Sequence, residues 1–166
     1  DFRGADTKQF THCFHIYPAM MIPQVARGLI QLYGKKDGFL FDPYCGTGTS
    51  LVEARVAGMD AAGTDLNPTA RFIANAKTRD YDLELLQSDI SEFLFGLKEV
   101  LTGVEDYTGF NEPECVTFER LEDWFPRRTI GEICTVMNAI GSIQSELNRM
   151  FLRIALSECL RLVSYQ

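Results

Sequence analysis

The 166-residue sequence has no apolar run approaching the ~18 to 20 residues of a membrane-spanning helix. Its first residues also lack a basic stretch followed by a signal-type apolar core. The expectation is a soluble, cytoplasmic chain with no membrane partner. Histidine is scarce, only His12 and His15. With Cys13 between them they invite a metal reading, yet ligands so close in sequence reach a tetrahedral ion poorly and no fourth partner is evident. No metal is expected. The five cysteines, Cys13, Cys45, Cys115, Cys134 and Cys159, form no C-x-x-C pair and are odd in number. They read as reduced, mostly buried thiols rather than as a disulfide framework or a metal cage. Clustered positive charge is missing too: 23 acidic against 16 basic residues give a net charge of −7, and from Asp80 to Asp123 the only basic residues are Lys98 and Arg120. Phosphate contacts demand clustered Lys and Arg, so any surface that grips nucleic acid is expected outside these residues. Apolar residues make up 46% of the chain, an ordinary content for a globular core of one domain.

What is present is concentrated between Gly38 and Asp65. Phe39-Leu40-Phe41 is a short apolar run bounded by Gly38 and Pro43, which suits a parallel strand buried on both faces. The turn Asp42-Pro43-Tyr44-Cys45-Gly46-Thr47-Gly48-Thr49-Ser50 follows, then a helix and a second strand ending at Thr64-Asp65. Gly46 and Gly48 let the backbone approach a ligand without a Cβ in the way. Thr49 or Ser50 is expected to cap the helix, whose first N–H groups and positive dipole end attract an anion. Asp65 stands ~20 residues on, where a doubly wound fold places an acid for ribose hydroxyls; this reading is preferred to simple helix capping. A dinucleotide loop would carry three spaced glycines, and a P-loop would carry Gly-Lys-Ser/Thr; neither is here. Asp42 would repel a pyrophosphate. It would accept the cationic amino group of S-adenosylmethionine, with that ligand's carboxylate at the helix start.

The segment Asp42-Pro43-Tyr44-Cys45-Gly46-Thr47-Gly48-Thr49 resembles the cofactor motif of the amino-methyltransferases of nucleic acid. Upstream, Thr11-His12 and Tyr17-Pro18-Ala19-Met20-Met21-Ile22-Pro23 are similar to the segment preceding that motif in DNA methyltransferases that modify the exocyclic amine of cytosine or adenine. The resemblance implies a Rossmann-like class I methyltransferase fold (α/β) with S-adenosylmethionine as cofactor. It also implies that Thr11, His12, Pro18 and Ala19 pack against the cofactor's methionine side. Asp42, Pro43, Cys45, Gly46, Gly48 and Thr49 would form the loop of the site, although Cys45 could equally fill space beneath that loop. Asp65, Leu66 and Asn67 would stand at the second strand end. Asp89, after a third strand, would accept a hydrogen bond from the adenine amino group with Ile90 along the ring, unless Asp89 is an ordinary helix cap.

The remaining elements follow from local pattern. Residues 1–17 read as irregular. Pro23 opens a helix with a stripe of Ile22, Val25, Ala26, Leu29, Leu32 and Tyr33 that Gly34 ends. Asn67 and Pro68 open another, to about Arg79. Tyr81 to Leu86 is read as a third strand interrupted by Glu84, followed by a short helix from Ser91 to about Leu101. A polar loop from Thr102 to about Glu114 leads to a surface excursion whose Trp124 packs inward. Ile130, Ile133, Cys134, Met137, Ile140 and Ile143 mark a helix of about four turns. A second, from about Leu147 to Val163, is expected to be deeply packed, with Arg149, Arg153, Ser157 and Arg161 as a narrow solvated stripe. The expected organisation is a cofactor-binding half over 1–101, a loop excursion over 102–127 and a helical hairpin over 128–166 on the same domain.

In the resembling family an Asp/Asn/Ser-Pro-Pro-Tyr/Phe loop accepts the amino hydrogens of a base swung out of the helix and stacks on it. The sequence contains no Pro-Pro pair, so no catalytic residue is assigned. With three strands where such sheets have about seven, the chain is expected to be the front part of a longer enzyme, inactive alone. DNA is the expected partner through regions outside this chain, and a second copy or a restriction-modification partner is a further expectation. Two alternatives stay open: an RNA guanine-N2 methyltransferase fragment, and a noncatalytic cofactor-binding partner subunit.

Overall fold

The computed structural model of the protein describes residues 4–18, 20–103 and 120–165. They belong to two compact units, Asp1–Asp80 and Tyr81–Gln166. In the first, a 3-10 turn at Phe10–Cys13 precedes helix α1 (Pro23–Tyr33), strand β1 (Phe39–Asp42), helix α2 (Thr49–Val56), strand β2 (Asp60–Gly63) and helix α3 (Pro68–Lys77). The helix starts follow local rules. Pro23 and Pro68 occupy first-turn positions, where the missing N–H costs nothing. The Asn67 side chain accepts from the Thr69 N–H at 2.9 Å, and Gly34 ends α1.

β1 and β2 pair in parallel, with Phe39 opposite Asp60 and Asp42 opposite Gly63. The ladder runs on beyond the strands, since the Thr64 N–H donates to the Asp42 carbonyl and the Cys45 N–H to the Thr64 carbonyl, both at 2.9 Å. Both strands stand where the sequence places them, but the expectation that β1 is buried on both faces does not hold. Burial alternates along it, leaving Phe39 65% and Phe41 58% exposed, as for a sheet covered on one side. The core of this unit is built from small and medium side chains: Ala26 from α1, Val52 and Ala54 from α2, and Ala70, Ile73 and Ala76 from α3.

The third strand is a correction. Residues 83–86 of the expected strand and the short helix expected after Ser91 are one helix, α4 (Leu83–Gly103). Asp82 Oδ1 accepts from the N–H groups of Glu84 and Leu85, both at 3.1 Å, which starts the helix. Between Tyr81 and Asp89 no residue is β-branched, and Leu86, Ile90, Phe93 and Leu97 recur at helical spacing. Glu84 does not interrupt a strand but lies in a helix's first turn, where an acid is favoured.

The second unit continues with a 3-10 turn at Leu121–Asp123 and helices α5 (Arg127–Ser142) and α6 (Glu146–Val163). α5 packs on both α4 and α6. Ser145 caps α6 by accepting from the Asn148 N–H at 3.2 Å, and Tyr81 meets the Phe151 ring edge-on at 5.6 Å. Both C-terminal helices stand where their apolar spacing predicts, but α6 is not deeply packed: only Asn148, Leu152 and Ile154 are buried, and Leu162 is largely exposed. Arg149 is not part of a solvated stripe either. Its guanidinium donates to the carbonyls of Ile143 and Gln144, closing the end of α5. Trp124 is 52% exposed rather than packed inward. Most of the expected loop at Thr102–Glu114, together with Cys115, lies outside the described residues. Of the other thiols, Cys45 and Cys134 are buried, whereas Cys13 and Cys159 are exposed, against the expectation of mostly buried cysteines. Among the described residues no helix is long and apolar enough to cross a membrane.

Candidate functional site

The turn after β1 is held by its two glycines in different ways. Gly46 has φ +51° and Gly48 φ +81°, both in the left-handed region that favours glycine. A Cβ on Gly46 would meet nothing within 4 Å, so this residue faces the open side of the loop. A Cβ on Gly48 would lie 2.9 Å from the Ala74 Cβ; its smallness serves the approach of α2 to α3, not of a ligand. Gly48 is also the N-cap of α2, and no side chain caps that helix. The expected capping by Thr49 or Ser50 is therefore corrected. Thr49 is buried at the first helical position, and the Ser50 hydroxyl donates instead to the Asp42 carboxylate. Gly63 contributes a third close approach that the sequence reading did not single out. A Cβ there would sit 2.6 Å from the Cys45 Cβ and 3.1 Å from the Asp42 carbonyl oxygen.

Two carboxylates stand at the carboxyl ends of the two parallel strands, where ligands of open α/β sheets bind. Asp65 spans the gap between them. Its Oδ2 accepts from the Gly46 N–H at 2.9 Å and its Oδ1 from the Asn67 N–H at 2.8 Å. Asp42 accepts from the Tyr44 N–H at 3.0 Å through Oδ1 and from Ser50 through Oδ2. A carboxylate offers about four acceptor positions, so each acid braces the loop and keeps acceptor capacity for a ligand. Pro43 is exposed, its carbonyl held by the Thr64 hydroxyl at 2.8 Å, and Leu66 is 96% exposed beside Asp65. Burial, with Asp42 and Asp65 nearby, raises the Cys45 thiol above its ordinary range. Cys45 thus stays a neutral thiol packed against Gly63.

The upstream segment lies against the same unit, and its residues have partners the sequence did not disclose. The Thr11 hydroxyl donates to the Lys77 carbonyl at 2.8 Å. His12 is buried, its Nε2 at 2.9 Å from Glu53 Oε1. Glu53 also receives Arg27 Nε at 2.8 Å and Arg27 Nη2 at 3.0 Å. Further on, Tyr17 Oη accepts from Asn67 Nδ2 at 2.6 Å, which ties this segment to the end of β2. Pro18 is exposed in the structure, and Ala19 lies outside the described residues.

The charges in this cluster are set by burial and pairing. Burial lowers the His12 pKa although Glu53 opposes it, so the imidazole is held neutral with Nε2–H donating. Burial alone would raise Glu53, but hydrogen bonds from Arg27 and His12 prevail and hold it below the usual carboxylate range. Lys77, 3% exposed, is lowered by burial, and its Nζ lies 4.0 Å from the Met20 sulfur. Among the described residues no group of three or more His, Cys, Asp or Glu could hold a metal ion. The contacts of Glu53 and Arg27 were not anticipated from the sequence, and Tyr17 stood in the quoted segment without an assigned role. The available signal was an acid, Glu53, inside the otherwise apolar run Leu51-Val52-Glu53-Ala54.

Asp89 and Ile90 are not at a strand end. Both lie on α4 in the other compact unit, half-buried, and Asp89 Oδ2 accepts from Asn148 Nδ2 at 2.7 Å. The structure brings together Thr11, His12, Asp42, Cys45, Gly46, Gly48, Thr49, Asp65 and Asn67 within the first unit, and the placement from which an adenine contact was expected for Asp89 is absent. The arrangement is one of acceptors and an open backbone turn, suited to holding a ligand with a cationic group and vicinal hydroxyls.

Residues 10–95 match the UPF0020 family, described as RMKL-like, methyltransferase domain. Over 168 residues the chain is 35% identical to the Type II methyltransferase M.MvaI of Kocuria varians, an alignment covering 98% of the chain and 36% of that protein. It is 28% identical over 95 residues to the Type II methyltransferase M.MjaII of Methanocaldococcus jannaschii, covering 57% of the chain and 18% of the relative. A tRNA (guanine(10)-N2)-dimethyltransferase of Methanothermobacter thermautotrophicus is 42% identical over 77 residues, 44% of the chain and 23% of the relative. The chain spans little more than a third of the first of these relatives and less of the others. No solved structure matches it.

Proposed function

The chain belongs to the RMKL-like methyltransferase domain family, and from that premise we propose that it forms the S-adenosylmethionine-binding part of a site-specific DNA methyltransferase. The base it serves is adenine or cytosine, methylated at the exocyclic amine. The observation that carries this reading is the Asp65 bridge from the end of β2 to the Gly46 N–H of the glycine turn. The residues fit the cofactor. Space for a Cβ above Gly46 is open, and Asp42 and Asp65 keep acceptor positions. When bound, the cofactor supplies a methyl group activated on a sulfonium. The chain's own residues bind and orient. The Asp42 carboxylate holds the ligand's ammonium, and the N–H groups at the start of α2 receive its carboxylate. Asp65 accepts from the ribose hydroxyls.

DNA is favoured over RNA as substrate by the extent of the matches. Similarity to a Type II methyltransferase covers 98% of the chain and so includes α5 and α6, whereas similarity to the tRNA enzyme covers 44%. No Pro-Pro pair occurs in these residues, so handling of the base is assigned to residues other than those of this chain, which alone should bind cofactor but not methylate DNA. Calorimetric titration with S-adenosylmethionine tests the reading. One site is expected, and Asp65→Ala should weaken it on the order of 10- to 150-fold, because bonds to a charged group are worth about 1.5–3 kcal/mol. Equal affinity in the two proteins would remove Asp65 from the site.

A further inference from the structure

Within the first unit, one fully buried carboxylate is not used by the cofactor reading. Glu53 lies one turn into α2, four residues after Thr49, and its side chain has no solvent exposure. A buried carboxylate is tolerated only when paired and hydrogen-bonded, and a well-packed apolar residue would stabilise the fold at least as well. A carboxylate at this position therefore needs a reason other than stability. Its partners supply one, because they come from two elements that precede the glycine turn in sequence. His12 belongs to the 3-10 turn and Arg27 to α1. Arg27 also lies 5.9 Å from the centre of the Phe10 ring and donates to Gln9 at 3.3 Å, extending the grip along the segment.

The other end of the segment is fastened at the site itself. Tyr17 is bonded to the Asn67 side chain, the Asn67 N–H to Asp65, and Asp65 to the Gly46 N–H. Residues 12–17 thus run as a strap from the second turn of α2 to the carboxyl end of β2. We propose that Glu53 is a positioning residue for the cofactor site: through His12 and Arg27 it fixes this strap and α1 onto α2, so that the strap closes the crevice at the strand ends. The proposal rests on the cofactor reading above and adds to it a residue that touches no ligand. Glu53 is the side chain that reaches both His12 and α1.

The test uses the 166-residue chain, Glu53→Gln and Tyr17→Phe, with S-adenosylmethionine titrations and amide hydrogen exchange. Glu53→Gln should speed exchange in residues 10–17 while leaving 39–42 and 60–63 unchanged, and should weaken the cofactor on the order of tenfold, the cost of ordering a freed segment on binding. Tyr17→Phe, which buries no charge and removes only the hydroxyl, should weaken it about threefold by freeing the opposite end. If Glu53→Gln is too damaged to fold, Tyr17→Phe decides. Parent-like affinity in Tyr17→Phe and in a folded Glu53→Gln overturns the positioning role, as does a loss of affinity that merely follows faster exchange in the strands. A parent that binds no S-adenosylmethionine overturns the cofactor reading and this role with it; a parent that binds beside unaffected variants overturns this role alone.

Discussion

In residues 1–80 a carboxylate, a lysine and a histidine lie inside the fold, each 6% exposed or less. In residues 81–166 the ion pairs of Arg120, Arg127, Arg128 and Arg161 join side chains that water reaches. The balance of charge differs in the same way, with 8 acids and 9 bases in the first stretch against 15 acids and 7 bases in the second. Exposed pairs contribute about 0–1 kcal/mol and hold nothing in place, whereas a buried charge requires partners in fixed positions. The first unit therefore spends its polar groups on geometry around a turn with two left-handed glycines. Among the described residues, the second is organised by apolar spacing along α4, α5 and α6, with Asn148 as a buried polar exception.

The largest expected effect bears directly on that contrast. Glu53→Ala leaves buried His12 without its acceptor and Arg27 with only Gln9, and should cost about 3 kcal/mol in urea unfolding, toward the low end for a broken buried pair because Arg27 is one-third exposed. Glu132→Ala, which removes the surface partner of Arg128, should cost less than about 0.5 kcal/mol. Comparable losses from the two would break the comparison.

Glycine substitutions come next. Gly48→Ala must hold a left-handed φ and meet Ala74, and should destabilise by about 2 kcal/mol. Gly96→Ala, inside α4 with nothing within 4 Å of the new Cβ, should stabilise by about 0.5–1 kcal/mol. Thermal unfolding of both variants reads the opposite signs. Asn148→Ala sharpens the comparison from the other side. It strands Asp89 and should cost about 1–2 kcal/mol, less than Glu53→Ala because Asp89 is only half-buried and can turn to water.

The smallest effect is the response to acid. The folded-state pKa of His12 lies below its ordinary 6.5 and that of Glu53 below 4.5, so the unfolded chain binds protons more readily at both positions. The stability they contribute is complete above pH 6.5 and declines as pH falls, for His12 below 6.5 and for Glu53 below 4.5. Melting temperatures at pH 7.5 and 5.5 should show a drop in the parent that shrinks in His12→Gln. A parent that is more stable at the lower pH contradicts the assigned protonation states.

The parts of the fold that were legible in the sequence are those where backbone chemistry leaves little choice. Gly46 and Gly48 mark the turn after β1, Asn67-Pro68 marks a capped helix start, and Pro23 with Gly34 bounds α1. Residues 81–86 misled because their leucines fit either an apolar strand or a helix face, and the deciding signal was the side chain of Asp82, which satisfies the first N–H groups of α4. That error carried Asp89 and Ile90 into the expected site. The joining of His12, Arg27 and Glu53 was not legible at all. Residues 12, 27 and 53 meet only after three elements have packed, and no local rule in the chain encodes that meeting. Ser50 was read as a cap because its type and position allowed it, but the helix is capped by backbone geometry at Gly48, which freed the hydroxyl for Asp42.

The proposed seat for S-adenosylmethionine lies at the ends of β1 and β2. The most direct measurement is backbone-amide chemical-shift mapping of the 166-residue chain during titration with that compound. Saturable shifts are expected at Gly46, Gly48, Asp65 and Asn67, with smaller ones along residues 11–18. Saturable shifts confined to α4, α5 or α6, with the glycine turn and Asp65 unmoved, would contradict it.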